Sequence, residues 1–362
     1  MVIPAIVAIA IPLVFLYLVR WLDLYASGSF KVLLVCLGWG MMAFFLALQV
    51  NTYVGGIVGY GALVILFAPI IEEILKSSVL IYLVRRPSFT YFVDGAIYGF
   101  AAGTAFAVLE NVLYLSRAGA GEALFVALGR ALSTSLMHGS ASALVGIALG
   151  GLRYGRGPIR FLSLFLGWAA AMSLHVAFNN SLSRVPGSFS IMIAIVLGLG
   201  GVGMVAAFIF WGLRQERRWL KDTLGLGVGV SSQESAVVQQ MSDLDVLLAP
   251  IGERFGEAKR KQVESFLKLQ AQLGIKRKQQ EMTQNEKQRQ DLGNQVAALQ
   301  KEMDGLRRDV GVYCMSYVRS ILPPETEPIW SRLGENLAGK ETSTGPSLWS
   351  TIGNKMDKGN RG

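Results

Sequence analysis

The sequence predicts an all-α membrane protein, a bundle of about seven transmembrane helices followed by a cytoplasmic helical, coiled-coil extension. Hydrophobic residues make up 52% of the 362 residues, and the mean hydropathy is +0.43. That is too apolar for an ordinary soluble domain. A membrane-spanning helix needs about 20 mostly apolar residues, and candidate segments lie near 2–19, 32–50, 57–84, 93–115, 124–150, 161–182 and 189–212.

The apolar segments stop near residue 213, which divides the chain into parts of different character. We expect a transmembrane domain over 1–213, a juxtamembrane linker over 214–232, a cytoplasmic helical region over 233–322 and a disordered tail over 323–362. The first segment has no basic residue before its apolar run, so we interpret it as a retained span rather than a signal peptide. The third segment is long and carries Pro69, which predicts that it is kinked or partly re-entrant.

Basic residues flank alternate loops of the predicted bundle. They follow the first, third, fifth and seventh segments: Arg20, Lys31, Arg85, Arg86, Arg153, Arg156, Arg160, Arg214, Arg217, Arg218 and Lys221. Because basic loops stay in the cytoplasm, this pattern predicts an outside N-terminus and a cytoplasmic C-terminus. The same pattern explains much of the net charge of +9, so we expect no nucleic-acid partner.

Charged residues interrupt the third segment in the stretch "IIEEILK". Glu72, Glu73 and Lys76 are the only charged side chains between Val54 and Val84. Each charge in a span costs about 2.5–3.5 kcal/mol on insertion scales, so such residues usually serve a function. Glu72 and Lys76 are four residues apart, which places them on one helix face where they can pair.

Further polar residues fall at a similar depth in other segments. With a rise of 1.5 Å per helical residue, Glu72, Glu110, His138 and His175 lie about 20–24 Å from the predicted inner face. His138 and His175 are the only histidines in the protein. We therefore expect four segments to bring their ionisable side chains together in the outer half of the membrane.

Four motifs follow one another along the chain: "EEILK", "FAVLEN", the isolated His138 and "HVAFN". In this order they resemble the PrsW-type intramembrane proteases, over about residues 30–215. That family is related to prenyl-protein endopeptidases and bacteriocin self-immunity proteins, in which the second motif usually carries a histidine. Glu110 and Asn111 take that place here, as in the PrsW branch.

The resemblance implies an endopeptidase of a bacterial plasma membrane that cuts a membrane-anchored protein near the outer face. Glu72 or Glu73 would act as the general base, and Lys76 would hold the other carboxylate. The remaining roles implied are water orientation or metal binding by His138, oxyanion stabilisation by His175 and Asn179, and orientation of an imidazole by Glu110 and Asn111. Phe106 shares a helix face with Glu110.

The sequence leaves the metal question open. It contains no HExxH motif, the strongest signal of a zinc protease. Glu72, His138 and His175 could still provide three ligands for Zn²⁺ and leave one position for water. Relatives include enzymes described as metalloproteases and others described as metal-free glutamate proteases. We slightly favour a metal-free or metal-optional site.

Two other function classes fit the same residues. Carboxylates and histidines at one depth also form proton relays. A proton-coupled transporter is therefore one alternative to an enzyme. However, the sequence shows no internal repeat of the kind many transporters have. A non-catalytic scaffold that signals through the coiled coil is the other alternative.

Arg130, about 34 Å from Arg153 along a continuous helix, is expected to extend to the outer surface.

The C-terminal region carries a heptad-like apolar pattern. Steps of four and three residues connect Leu292, Val296, Leu299, Met303, Leu306, Val310 and Tyr313. This seam predicts self-association or binding of a cytoplasmic protein, and a solvated helix is the alternative. The two cysteines, Cys36 and Cys314, lie in different parts of the chain, so no disulfide framework is expected.

Overall fold

The computed structural model describes residues 1–23, 29–86, 89, 91–151, 153, 159–185, 188–223, 244–283 and 285–321. Within these ranges every regular element is helical, so the all-α fold class is confirmed. The Gly-rich part of the predicted linker and the predicted disordered tail lie outside the described residues.

The helices of the apolar part are α1 (Val2–Trp21), α2 (Phe30–Val58), α3 (Tyr60–Ala62), α4 (Ala68–Leu83), α5 (Phe92–Arg117), α6 (Ala123–Leu132), α7 (Thr134–Gly151), α8 (Ile159–Arg184) and α9 (Ser188–Thr223). A π turn, Leu63–Phe67, joins α3 to α4. The C-terminal helices are α10 (Leu244–Phe255), α11 (Glu257–Met282), α12 (Glu286–Val310) and α13 (Val312–Ile321).

Six helical segments of the described chain are long and apolar enough to cross a membrane, where the sequence predicts about seven. They are α1, α2, α5, α6 together with α7, α8 and α9. The predicted third segment is instead divided among α3, the π turn and α4, and it carries three charges. Its role as a seventh span stays a prediction.

The division of this segment has a backbone cause. Gly59, with φ of 82°, separates α2 from α3 in a conformation that only glycine adopts without strain. Pro69 lies in the first turn of α4, where its missing N–H is tolerated. The π turn directly before it avoids the clash of the proline ring with the preceding helical turn. The π turn thus precedes Pro69, and two of its residues, Leu63 and Val64, line the cavity described below.

Helices α5 and α7 form the centre of the bundle and approach each other closely. Gly95, Gly99 and Gly103 recur every four residues along α5. A Cβ on these glycines would lie 2.1–2.3 Å from the carbonyl oxygens of Gly146, Ser142 and His138, respectively. Small residues therefore permit backbone contact between the two helices that carry Glu110 and His138.

Replacement of Gly103 by alanine is expected to disturb both stability and the site. The new methyl group would lie 2.2 Å from the carbonyl oxygen of His138, and backbone atoms cannot yield as a side chain can. Such overpacking costs about 1–3 kcal/mol. Thermal unfolding in detergent measures the loss. Gly38→Ala on α2, where nothing lies within 4 Å of the added methyl, is the control and should be neutral. Equal unfolding temperatures for the two variants would contradict the proposed contact.

The predicted apolar seam of α12 packs against another helix of the same chain. Leu292, Val296, Met303 and Val310 are buried, and α11 packs against α12. On α11, Phe266 lies under the guanidinium of Arg307, 5.4 Å from the ring centroid. Tyr313, at the end of the seam, is 89% exposed. Periodicity identified the apolar face, but its partner is α11, and the structure gives no support for a coiled-coil partner from another chain.

The C-terminal helices also contact the apolar bundle. Helix α11 packs against α9, and Gln288 Nε2 donates a hydrogen bond of 2.7 Å to the carbonyl of Arg85. Lys276 on α11 interacts electrostatically with Asp94 and Arg153 of the apolar bundle. Burial, the largest effect, and Arg153 lower the pKa of Lys276 to about 8, while Asp94 opposes the shift.

The lowered pKa of Lys276 predicts that stability increases with pH. Between about 8 and 10.5 the unfolded chain binds the proton and the folded chain does not, so alkaline pH favours folding. The free energy of unfolding should increase by an amount on the order of 1 kcal/mol from pH 7.5 to 9.5. Thermal unfolding at these pH values measures it, and Lys276→Met should lack this increase. Identical pH dependence in both proteins would contradict the assignment.

Candidate active site

A cavity of about 510 Å³ opens among α2, the π turn, α4, α5, α7 and α8. Its polar lining contains Asn51, Glu72, Glu110, His138, His175 and Asn179. The four ionisable residues that the sequence predicts at one depth, Glu72, Glu110, His138 and His175, thus line one chamber in the structure. The lining also includes Tyr60, Arg117 and Ser183, which are exposed and lie at helix ends remote from Arg85 and Arg153; this exposed end is called the mouth of the cavity.

Lys76 is fully buried beside this chamber. Its ammonium donates hydrogen bonds to Glu73 Oε1 at 2.6 Å and to His138 Nδ1 at 2.7 Å, and it lies 4.8 Å from the ring centroid of Phe106. The sequence spacing favours a pair between Glu72 and Lys76, but the structure pairs Lys76 with Glu73, three residues away. This leaves Glu72 as the carboxylate that lines the cavity.

His175 is oriented by Glu73. Its Nδ1 lies 2.8 Å from Glu73 Oε1, and since a carboxylate only accepts, Nδ1 carries the proton. The lone pair therefore resides on Nε2, which lies 3.9 Å from Glu72 Oε2. The ring of His138 stands edge-on to that of His175, with centroids 4.7 Å apart. Glu73 thus fixes the imidazole so that its basic nitrogen faces Glu72.

His138 is connected on its other side to Glu110. Nε2 donates to Glu110 Oε2 at 3.0 Å, and the same carboxylate oxygen lies 2.8 Å from Arg130 Nη2. Arg130 also donates through Nε to Asn111 Oδ1 at 3.1 Å and stacks on Tyr114 at 3.8 Å. The sequence predicts that Arg130 extends to the outer surface, but its side chain is only 17% exposed and turns to Glu110 instead.

Asn111 connects three helices behind this pair. Its Nδ2 donates to Ser135 Oγ on α7 at 2.8 Å and to the carbonyl of Ala8 on α1 at 3.3 Å. Asn111 is buried. It orients Arg130 rather than touching an imidazole, so its link to His138 runs through Arg130 and Glu110.

Asn179 supports the irregular backbone of the third segment. Its Nδ2 donates a hydrogen bond of 2.8 Å to the carbonyl of Val64 in the π turn. A π turn displaces backbone carbonyls from their regular partners, so this bond stabilises the turn where it borders the cavity. The amide has a second N–H, and the predicted oxyanion role of Asn179 rests on it.

Two polar residues near the site were missed in the sequence. Asn51 on α2 donates through Nδ2 to Glu72 Oε1 at 3.0 Å. Trp168 on α8 donates through Nε1 to Ser77 Oγ at 2.8 Å, and Ser77 in turn donates to the carbonyl of Glu73. An asparagine near the end of an apolar segment could have indicated Asn51, whereas nothing in the spacing distinguishes Trp168 from an interfacial tryptophan.

Glu72, His138 and His175 form a set that could hold a metal ion. One ligand atom from each residue lies within 4.8 Å of the others, and all three residues are buried. Two imidazoles and one carboxylate are the donor set of catalytic zinc sites with an open fourth position. Glu73 behind His175 Nδ1 is the carboxylate partner that ligating histidines usually have. The donor types therefore fit a divalent metal, which would replace either the Lys76 ammonium at Nδ1 of His138 or the Glu110 carboxylate at Nε2.

Comparisons with known proteins give one match. No curated protein and no solved structure matches the chain. The family model described as "PrsW family intramembrane metalloprotease" matches residues 28–212, which include α2 to α8 and every residue of the cavity. With half of its length matched and the catalytic candidates of four motifs gathered in one buried chamber, the chain belongs to the PrsW family of intramembrane metalloproteases and is a membrane peptidase.

Proposed function

We propose that this peptidase cuts its membrane-anchored substrate at the cavity bordered by Glu72, His138 and His175. The observation that carries the proposal is the meeting of these three side chains, from α4, α7 and α8, within 4.8 Å of one another. Together with the family description, this set supports the metal-dependent alternative over the metal-free or metal-optional site that the sequence slightly favours.

Glu72, His138 and His175 would be the protein ligands of the metal. When bound, a divalent ion such as Zn²⁺ supplies a more acidic water and polarises the scissile carbonyl. Of the two acids only Glu72 lines the cavity, while Glu73 is fully buried and bonded to Lys76 and His175. Glu72 would therefore act as a metal ligand when the ion is bound, and as the general base when it is not.

In the proposed reaction a single proton is taken from the water and later given to the leaving amine. Where Glu72 holds no metal, it takes the proton from the attacking water as the water oxygen bonds to the carbonyl carbon. The second amide N–H of Asn179 donates to the oxyanion that develops. Glu72 then returns the proton to the amide nitrogen as the C–N bond breaks. Glu110, paired with Arg130, holds His138 in place throughout.

The site of cleavage follows from the direction of the cavity. Its mouth lies at the helix ends remote from Arg85, Arg86 and Arg153, and basic loops face the cytoplasm. We therefore propose an outside N-terminus, a cytoplasmic C-terminal region and cleavage near the outer face of a plasma membrane.

The proposal is tested by mapping new protein N-termini in membranes of cells that express the chain. Cleavage should produce new N-termini at the outer ends of transmembrane segments, and growth with a membrane-permeable metal chelator should suppress them. Purified protein should carry metal in a ratio near one per chain. New termini that lie only in soluble proteins, or none that depend on the chain, would overturn the proposal.

A further inference from the structure

Asn51 is the residue outside α4 that holds the Glu72 carboxylate. Its side-chain amide reaches across from α2 and donates to Glu72 Oε1 at 3.0 Å. Asn51 also lines the cavity. Its own Oδ1 is buried and accepts no hydrogen bond from the described part of the chain. The amide is thus oriented toward Glu72 although this leaves its oxygen unsatisfied, an arrangement that packing alone does not favour.

The two oxygens of Glu72 face different partners. Oε1 accepts the bond from Asn51, and Oε2 lies 3.9 Å from His175 Nε2. A carboxylate fixed through one oxygen presents the other in a defined direction. His175 is fixed in the same manner by Glu73, through the nitrogen that faces away from Glu72. Glu72 and His175 therefore each have an anchoring partner on the side opposite to their shared face.

The hydrogen bond from Asn51 to Glu72 connects α2 to α4, two helices that are joined by an irregular backbone. Between α2 and α4 the chain passes through Gly59 and the π turn, so helical hydrogen bonding does not fix the rotation of α4 relative to α2. Trp39 Nε1 on α2 donates to the carbonyl of Leu75 at 2.9 Å, which connects the same two helices one turn beyond Glu72. Asn51 is the contact at the level of the site.

We propose that Asn51 is a positioning residue, which orients Glu72 toward the shared face with His175 and thereby strengthens binding of the metal there. The inference rests on the proposed role of Glu72 as a metal ligand. Partners that orient metal ligands typically change metal affinity about 10–100-fold when they are lost. The effect of Asn51 should therefore appear in metal affinity and not only in the rate of cleavage.

The test measures Zn²⁺ affinity of the purified full chain by competition with a chromogenic chelator. Asn51→Leu, similar in size but without a donor, should bind Zn²⁺ about 10–100-fold more weakly than wild type. Thr52→Val is the matched control, because Thr52 Oγ1 bonds only to Leu48 on its own helix, and it should bind as wild type does. Thermal unfolding of the metal-free proteins should be similar, which separates positioning from a general loss of structure.

The outcomes distinguish this inference from the proposed function. Wild-type affinity in Asn51→Leu overturns the role of Asn51. Wild-type affinity in Glu72→Gln overturns the metal site itself. If Asn51→Leu does not fold, Asn51→Ser, which is smaller and polar, replaces it with the same expected loss. If wild type binds no Zn²⁺, the metal site and the effect of Asn51 on it are overturned together.

Discussion

Replacement of Glu72 by glutamine is expected to abolish peptide cleavage while leaving the helix bundle folded. Glutamine has the shape of glutamate and can still accept the hydrogen bond from Asn51, but it takes no proton from water. Loss of a general base costs about 10²–10⁴ in rate, and the lost negative charge also weakens metal binding. We therefore expect a decrease of at least about 10³-fold.

The measurement is the cleavage rate of a substrate identified by mapping of N-termini, with thermal unfolding of the same preparations. Glu122→Gln provides the control, since Glu122 is an exposed carboxylate between α5 and α6. It should cleave at the wild-type rate. Retention of a tenth of the activity in Glu72→Gln would exclude Glu72 as the base, and loss of folding would mean that its role is structural.

The second large effect is expected at Glu73, and it concerns stability. Glu73→Gln leaves the fully buried ammonium of Lys76 without its opposite charge. Removing one partner of a buried ion pair costs about 3–5 kcal/mol. Glu73→Gln should therefore unfold at a clearly lower temperature than Glu72→Gln. Two adjacent glutamates would thus fail in different ways, one in chemistry and the other in folding.

A double variant separates the charge effect from the loss of hydrogen bonds. Lys76→Met should be destabilising alone, and combined with Glu73→Gln it should recover at least about half of the loss, because no unpaired charge remains. The matched control is Lys268→Met. Lys268 pairs with Glu264 at 2.6 Å, but their side chains are 40% and 27% exposed, so its loss should cost about 0–1 kcal/mol. Strict additivity of the two changes would contradict a coupled pair.

Sequence reasoning located the site through depth and failed where local geometry decides. Counting 1.5 Å per residue placed Glu110, His138 and His175 at one level, since each lies on an unbroken helix. The same count gave no partner for Arg130, because the count does not show that its side chain turns to Glu110 and Asn111 on α5. Helical spacing favoured a pair of Lys76 with Glu72, whereas in the structure Lys76 bonds to Glu73 and to His138 on α7.

Other features depend on which helices meet, information that a single sequence does not contain. Asn51 contacts Glu72 only because α2 lies beside α4. The heptad pattern of α12 identified a buried face correctly, yet the same pattern is compatible with any apolar partner. The glycines of α5 are recognisable as small residues in the sequence, whereas the closeness of Gly103 to the carbonyl of His138 depends on how α5 packs against α7.

The hydrogen bond between Asn111 and the Ala8 carbonyl bears on how this enzyme can be recombined with relatives. Helix α1 precedes the segment that the family shares, yet it supplies an acceptor to the residue that steadies Arg130. A chimera that transplants residues 28–212 onto a foreign leading helix would keep every motif and lose this backbone acceptor. Exchange experiments should therefore carry the first helix along with the catalytic core.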